Sequence, residues 1–483
     1  MTLFHEKFAE LAARMGDKIF LDDQRLATYD VKETLKVSEG FASALHEAGL
    51  NPGDALIAKM GQNAQSVLLL YASQILGLIL IPIDVRQEEK AIYGIDPRVK
   101  GVIFQKDPSS PHDFTLSLQG EEKDVTLPSL LEAKPFSSDR EENLDAMWIL
   151  TSGSEGGFKI VRHSQKTLFS HYTRFAKPAC YYPSDSEAIL LPLYHVFGIS
   201  TVLLPIVVGY SMHFPLAGDP ESILEYIKEK KITHLSHVPS FHYALAKKAQ
   251  EIGIHLTDLR AGATAGAPME ASRFSEIEDT LGMKLLPCYG SSEIITISAL
   301  GEEGDRERRR TSVGPLLEGT ELKILDENGN NLPVGKIGEI TVKSPSLMLG
   351  YLGREDGIDE DGYFATGDMG YLDERGDLHI TGRKKLIIIR NGHNLSIVEI
   401  EKQLLSLKGV ADCCVVGIKD PASGEAPGAI IVMEDGYEPD DIWDAIHENL
   451  AKNLWPNRIL FKDELPLLPS GKPDRVKAKN LFC

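Results

Sequence analysis

Between residues 188 and 286 short apolar runs alternate with longer amphipathic ones, and this rhythm constrains the fold more than any other feature. Ala188 to Pro192, Met212 to Pro215, Thr233 to Val238, Leu259 to Ala263 and Lys284 to Leu286 read as strands. Glu221 to Lys230, Phe241 to Ile252 and Met269 to Leu281 carry the helical period, and Val196 to Val208 is largely apolar. Parallel strands cannot be joined by tight turns, so helices must carry the chain back across the sheet. Both faces of such a sheet are covered, which makes this an α/β fold. The same rhythm opens the chain. Val31 to Leu50 is amphipathic and ends at Asn51-Pro52-Gly53, and Ala55 to Ala58, Leu78 to Asp84 and Val99 to Phe104 read as strands. Residues 106–142 are rich in Ser, Pro, Asp and Glu and predict a surface connection with room for one short strand.

After residue 311 the pattern changes. Short strands separated by Gly turns appear at Glu321 to Leu325, Gly338 to Lys343, Gly367 to Leu372 and Asp377 to Thr381. They predict a small antiparallel or barrel-like unit. The last segment, 384–483, has strands and helices of its own and predicts a small α+β domain. A chain of 483 residues exceeds what one core usually serves, so several domains are expected. Val67 to Ile83 is long and apolar, but Ser73, Gln74 and Gly77 interrupt it and Pro82 ends it. It predicts a helix and a buried strand, with no membrane span. A net charge of -20 argues against nonspecific binding of nucleic acid or anionic membrane. The five cysteines are odd in number and lack metal-ligand spacing, and no signal-peptide pattern opens the chain, so a reducing cytoplasm is the expected setting.

Several stretches carry chemistry. Thr151-Ser152-Gly153-Ser154-Glu155-Gly156-Gly157-Phe158-Lys159 follows the apolar run Ala146 to Leu150. Small hydroxylated residues ending in a lysine suit a loop whose backbone N–H groups meet phosphate oxygens, or a plain flexible turn. The Walker spacing is absent. Tyr289-Gly290-Ser291-Ser292-Glu293 offers an aromatic face, hydroxyls and a carboxylate, or a turn at a strand end. Ala365-Thr366-Gly367-Asp368 offers one carboxylate beside a tight turn. Thr381-Gly382-Arg383-Lys384-Lys385 places charge where the composition changes, and Leu468 to Arg475 puts Lys472 on a Pro- and Gly-containing loop. Each stretch also has an ordinary reading as a turn or a solvated basic loop.

Taken in order, these stretches, with Leu193-Tyr194-His195-Val196-Phe197-Gly198 and Gly382 to Gly392, resemble the adenylate-forming superfamily of acyl-CoA synthetases, adenylation domains and luciferases. The resemblance covers nearly the whole chain and is closest in motifs to acyl- or aryl-CoA ligases. It implies a large N-terminal domain, 1–383, of two stacked αβ subdomains plus a small β-barrel. A small mobile α+β C-terminal domain, 384–483, would follow, with Lys385 at the hinge. The implied reaction joins a carboxylic acid to the α-phosphate of ATP and then passes the acyl group to a thiol. Lys472 matches the lysine that bridges carboxylate and α-phosphate. Glu293 matches the Mg²⁺ ligand. Ser292 would meet the α-phosphate, Tyr289 would stack on adenine, Asp368 would accept from ribose hydroxyls, and Arg383 would add a contact to ribose or phosphate. Thr151, Ser152, Gly153, Ser154 and Lys159 would hold the leaving pyrophosphate. His195 matches an acyl-pocket position that can gate the thiol, and Gly392 would line a pantetheine tunnel after the C-terminal domain turns.

Two residues depart from the pattern. Glu155 replaces a usual Thr or Ser, and Phe158 a usual Pro. The segment Tyr194 to Ser200 also lacks the Asp by which amino-acid-activating relatives hold an α-ammonium, so an acid without an α-amine is expected. Its pocket is expected near Phe197, His237, Val238, Phe241, Ala265, Gly266 and Cys288, which favours a fatty or aryl acid. His237 and His242 could meet a polar tail or serve as satisfied core histidines. CoA is the expected acceptor. A carrier-protein phosphopantetheine (on an acyl or peptidyl carrier) and a nucleotide-binding homologue with impaired ligase activity are the alternatives. The arginine-rich run Asp305 to Arg310 reads as a solvated loop or a contact for CoA phosphate or an acidic carrier.

Overall fold

In the computed structural model, residues 1–90, 92–105, 112–118, 120–129, 132–152, 158–216, 218–267, 269–301, 304–355, 357–384, 386–390, 393–421, 423–467 and 473–482 are described. Gly153, Ser154, Glu155, Lys385, Gly392 and Lys472 lie outside them.

The apolar run from Val67 resolves into a helix, Ala64–Leu76, and a strand, Ile79–Asp84, with Gly77 between them in the left-handed conformation. Every residue of the helix is buried, as an all-round apolar surface requires. Its 13 residues span roughly 20 Å, short of a bilayer's hydrocarbon core. Among the described residues no helix is long and apolar enough to cross a membrane.

Ile79–Asp84 belongs to a seven-stranded sheet. Its order is Glu121–Thr126, Asp113–Leu118, Val99–Gln105, Ala55–Met60, Ile79–Asp84, Asp145–Ser152 and Phe158–Ser164. The inner strands are parallel and antiparallel hairpins close both flanks. The segment read as a surface connection therefore supplies a hairpin. Phe114 and Leu116 face the core, whereas the edge strand buries only Val125 among its charges. Charge on an edge strand blocks further pairing and hides the strand from a hydrophobic pattern.

A second sheet takes Ala27–Asp30, Ile19–Asp23, Ser211–Phe214 and Ser186–Ala188 on one side and Ala261–Thr264, Lys284–Ser291 and Ile295–Ala299 on the other. The stretch 233–238 joins the halves through parallel bridges from His234 to Glu187 and Ala261, and from His237 to Thr264. The helices Leu3–Met15, Val31–Glu47, Ala64–Leu76, Gln165–Phe175 and Val196–Val208 share one core with both sheets, built around Phe4, Phe8, Phe41, Tyr71 and Tyr172. These are the two stacked αβ subdomains. The small unit expected as a barrel is a four-stranded antiparallel sheet, Glu321–Leu325, Gly338–Lys343, Phe364–Leu372 and Leu378–Arg383. Closure into a barrel is not among the pairings of the described residues. The C-terminal sheet runs His393–Ser396, Ile387–Arg390, Gly424–Met433 and Val410–Asp420, with Arg458–Phe461 beside Gly424–Met433. Ile397–Leu405 and Pro439–Asn449 pack on it over a separate core of Ile388, Ile400, Val415, Ile431 and Ile446. Arg273 reaches across to it, donating to the carbonyls of Val410 and Ala411.

The arginine run forms a short helix rather than a loop, with Arg309 buried and Arg308 half-buried while Arg306 and Arg310 face solvent. Asp305 caps the helix Arg306–Thr311. Arg309 donates to both oxygens of Glu278 at 2.9 and 3.1 Å, and Arg308 grips Asp377 at 2.5 and 2.7 Å. The helix thus clamps Ala271–Leu281 to the small sheet.

Burial also shapes the response to acid. It pushes His163, His234 and His242 down to about 4 and His171 and His237 to about 3, from 6.5. Between those values the unfolded chain binds protons that the folded chain refuses. Stability is therefore full above pH 6.5 and falls as the pH drops toward 4, by about 1 kcal/mol per pH unit for each histidine. Glu187 opposes this as a single group. Burial lifts it to about 7 from 4.5, so its contribution is full below 4.5 and is lost as the pH rises through 7. Denaturant unfolding at a series of pH values is expected to show a steep net loss of stability below pH 6.5. A flat profile there contradicts this assignment.

Candidate active site

His237, Thr264 and Pro287 are neighbours in register where the parallel strands of the second sheet end. The chain leaves each strand there, and backbone groups no longer paired in the sheet become available. Open α/β sheets bind their ligands at this edge. Val238, Ala265, Gly266, Cys288 and Tyr289 follow directly, so the structure brings most of the expected pocket residues to one rim. The His237 ring stacks on Phe241 with centroids 3.7 Å apart. Its Nδ1 accepts from the Val238 N–H at 2.9 Å. His242 bonds the Leu235 carbonyl at 3.0 Å. Burial disfavours a charge on either ring, and each is anchored to backbone through one nitrogen, so both shape the wall. Burial lifts the Cys288 thiol to about 12, which leaves it an apolar wall residue.

His195 stands at the N-cap of Val196–Val208, with Phe197 half-buried in the first turn. A Cβ at Gly198 would lie 2.1 Å from the Pro192 carbonyl oxygen, so only glycine lets this helix start so close to the preceding loop. The His195 ring lies 4.5 Å from that of Tyr194. The Tyr194 hydroxyl bonds Asp84, whose carboxylate Arg86 holds at 2.7 and 3.0 Å. The Arg86 contacts keep Asp84 well below the usual carboxylate range, while burial and Asp84 raise Tyr194 to about 12. Sequence reading missed this support because its members lie on different elements.

Tyr289 lies two residues before the end of the strand Lys284–Ser291, and its hydroxyl donates to Asp368 Oδ2 at 2.7 Å. Asp368 and Arg383 are cross-strand partners in the small sheet, and Arg383 Nε donates to Asp368 Oδ1 at 2.8 Å. The Asp368 N–H donates to Thr366 Oγ1 at 3.1 Å. Three residues separated widely in sequence thus form one aromatic, acidic and basic cluster.

Glu293 occupies the turn between Lys284–Ser291 and Ile295–Ala299. A Cβ at Gly290 would meet the Ile295 carbonyl oxygen at 1.5 Å, so only glycine permits the return strand this close. Ile295 itself sits at φ +56°, rare for a β-branched residue and a mark of strain beside the carboxylate. Glu293 accepts from Ser291 Oγ at 2.7 Å and from the Tyr351 hydroxyl at 2.7 Å. The neighbouring Ser292 carbonyl accepts from His163 Nε2 at 2.7 Å. A carboxylate fixed by two O–H donors keeps lone pairs for a cation. Among the described residues no group of three His, Cys, Asp or Glu gathers as a metal site. A single carboxylate fits Mg²⁺, which takes one or two such ligands and completes its shell with phosphate and water.

Thr151 pairs with Lys159, and Ser152 with Phe158, at the end of the hairpin that carries 153–157. The segment 348–352 runs beside it, through bonds from Arg162 N to Gly350 O and from Leu352 N to Ile160 O, and reaches Glu293 by Met348 N to Glu293 O. Lys159 Nζ lies over the Tyr351 ring, 4.7 Å from its centroid. Thr151, Lys159, Tyr351, Ser292 and Glu293 are therefore one assembly, adjoining Tyr289, Asp368 and Arg383.

The family profile described as AMP-binding enzyme matches residues 8–352, and that described as AMP-binding enzyme C-terminal domain matches 399–472. The chain is 28% identical to a sulfoacetate–CoA ligase of Cupriavidus necator, covering 97% of this chain and 96% of that protein. It is 28% identical to a 2-succinylbenzoate–CoA ligase of Bacillus pumilus, covering 91% and 90%. Its fold superposes on ATP-bound MatB of Rhodopseudomonas palustris with a TM-score of 0.84 at 25% identity, over 100% of this chain and 99% of that one. The chain belongs to the AMP-binding enzyme family, within the adenylate-forming superfamily.

Proposed function

We propose that this protein activates a carboxylic acid with ATP and transfers the acyl group to the thiol of CoA. The observation that carries this reading is the convergence of Tyr289, bonded to Asp368, with Glu293 and Lys159, both of which touch Tyr351. An acid oxygen attacks the α-phosphorus, the α–β P–O bond breaks, and pyrophosphate leaves with the electron pair. The thiol sulfur then bonds the acyl carbon, AMP leaves, and the thiol proton passes to solvent. The two anions that meet in the first step need positive charge between them, and Lys472 supplies it. Glu293 holds the Mg²⁺ that neutralises phosphate charge. Lys159, Thr151, Ser152, Gly153 and Ser154 receive pyrophosphate, Ser292 meets the α-phosphate, Tyr289 packs on adenine, and Asp368 accepts from ribose with Arg383 beside it.

The acid carries no α-amine. The rim of Phe197, Val238, Phe241, Ala265, Gly266 and Cys288 is apolar or small, and burial disfavours a charge on His237 and His242, which suits a fatty or aryl acid. We place the domain boundary at 383/384 with Lys385 as hinge. The C-terminal domain turns between steps, withdrawing Lys472 and bringing Gly392 to a thiol channel gated by His195. Separate steps that need different groups in one place call for such alternation. Incubation with ATP, Mg²⁺ and a panel of acids, followed by mass detection with CoA, phosphopantetheinylated carrier protein or an amine, tests the acceptor. Acyl-CoA is expected, and an acyl-carrier product alone overturns the assignment to CoA.

Asp368→Asn is expected to weaken ATP binding about 10–100-fold, because a charged acceptor shared by Tyr289 and Arg383 is lost. Calorimetric titration with ATP checks this, and wild-type affinity contradicts the role given to Asp368.

A further inference from the structure

Tyr351 touches two groups of opposite charge with two different parts of one side chain. Its hydroxyl donates to Glu293 Oε1 at 2.7 Å, and its ring face receives Lys159 Nζ 4.7 Å from the centroid. The ring is only 9% exposed, and its backbone bridges Val161 in the strand that carries Lys159. Met348 donates to the Glu293 carbonyl at 2.8 Å, so the same short segment holds the turn and the hairpin together. An ammonium and a carboxylate left beside each other would pair, and each would then be turned away from the phosphates.

We propose that Tyr351 is a positioning residue that keeps Lys159 and Glu293 apart and aimed at the triphosphate and its cation. This rests on the reading of Glu293 as the carboxylate that holds Mg²⁺. The Tyr351 and Ser291 hydroxyls each fix one carboxylate oxygen, and each oxygen keeps a further lone pair. The ring face holds the lysine by a cation–π contact that a phosphate group can displace.

Calorimetric titration of ATP, with Mg²⁺ present and with the cation chelated, separates the two contacts. Tyr351→Phe keeps the ring and removes the hydroxyl. It is expected to weaken Mg²⁺–ATP binding about tenfold while metal-free ATP binds as to wild type. Tyr351→Leu is expected to weaken metal-free ATP as well, since Lys159 loses its support. Wild-type Mg²⁺–ATP binding by Tyr351→Phe overturns the proposal, as does an equal loss with and without the metal, which is what a merely structural role would give. Glu293→Gln serves as the reference. If its metal dependence is unchanged, the reading of Glu293 fails instead.

Discussion

Lys472→Ala is expected to lower acid-dependent adenylation about 10³-fold or more while ATP still binds within a few-fold of wild type. The physical argument concerns charge. A carboxylate approaching a phosphate group repels it by about 4 kcal/mol at 4 Å where the effective dielectric is near 20. An ammonium placed between the two reverses the sign of that term as the new P–O bond forms. The other residues proposed to hold ATP lie on other elements, so binding and chemistry should separate in this variant. The five-residue stretch 468–472 has a fixed base. Leu467 bridges Pro473, and the Asp474 N–H donates to the Pro466 carbonyl at 2.7 Å. Behind it Arg475 donates to both oxygens of Glu401, at 2.5 and 2.8 Å, so the segment leaves a rigid scaffold. Full adenylation by Lys472→Ala would remove the lysine from the mechanism.

Arg309→Ala is expected to destabilise the fold by about 3–5 kcal/mol. Arg309 and Glu278 are 5% and 2% exposed, and one guanidinium nitrogen, Nη2, meets both carboxylate oxygens. Removing the guanidinium takes a buried cationic partner from a buried carboxylate. Arg306 Nε at 2.9 Å and the Leu285 N–H at 2.9 Å remain to it. Arg306→Ala should cost less, on the order of 1 kcal/mol, because Arg306 is 46% exposed and water can take its place. Chemical denaturation of both variants measures the contrast. Equal losses, or a loss under 1 kcal/mol for Arg309→Ala, would contradict the clamp.

The arginine run shows why part of the molecule was hidden from sequence. Four arginines in six residues look solvated in isolation. Their partners Glu278 and Asp377 are 31 and 69 residues away from Arg309 and Arg308, and no local pattern announces them. The Asp113–Thr126 hairpin was hidden for a different reason. Its edge strand carries charge where a strand pattern expects alternation. Tyr351 lies 58 residues from Glu293, and His163 lies 129 residues from Ser292, so only the fold brings these supports to the site. The groups read directly from sequence are those whose chemistry dictates local composition. Glycine at 290 admits the return strand, Asp368 and Arg383 face each other across one hairpin, and Thr151 pairs with Lys159 across another. The alternation of strands and helices was legible because burial on both faces requires continuous apolar runs.

The central claim is that this chain forms an acyl-adenylate from ATP and a carboxylic acid. Exchange of labelled pyrophosphate into ATP, measured over fatty and aryl acids with Mg²⁺ and without any thiol, tests it most directly. The account predicts exchange that depends on the acid and disappears in Lys472→Ala. Absence of exchange with every acid, under conditions where ATP binds, would contradict it.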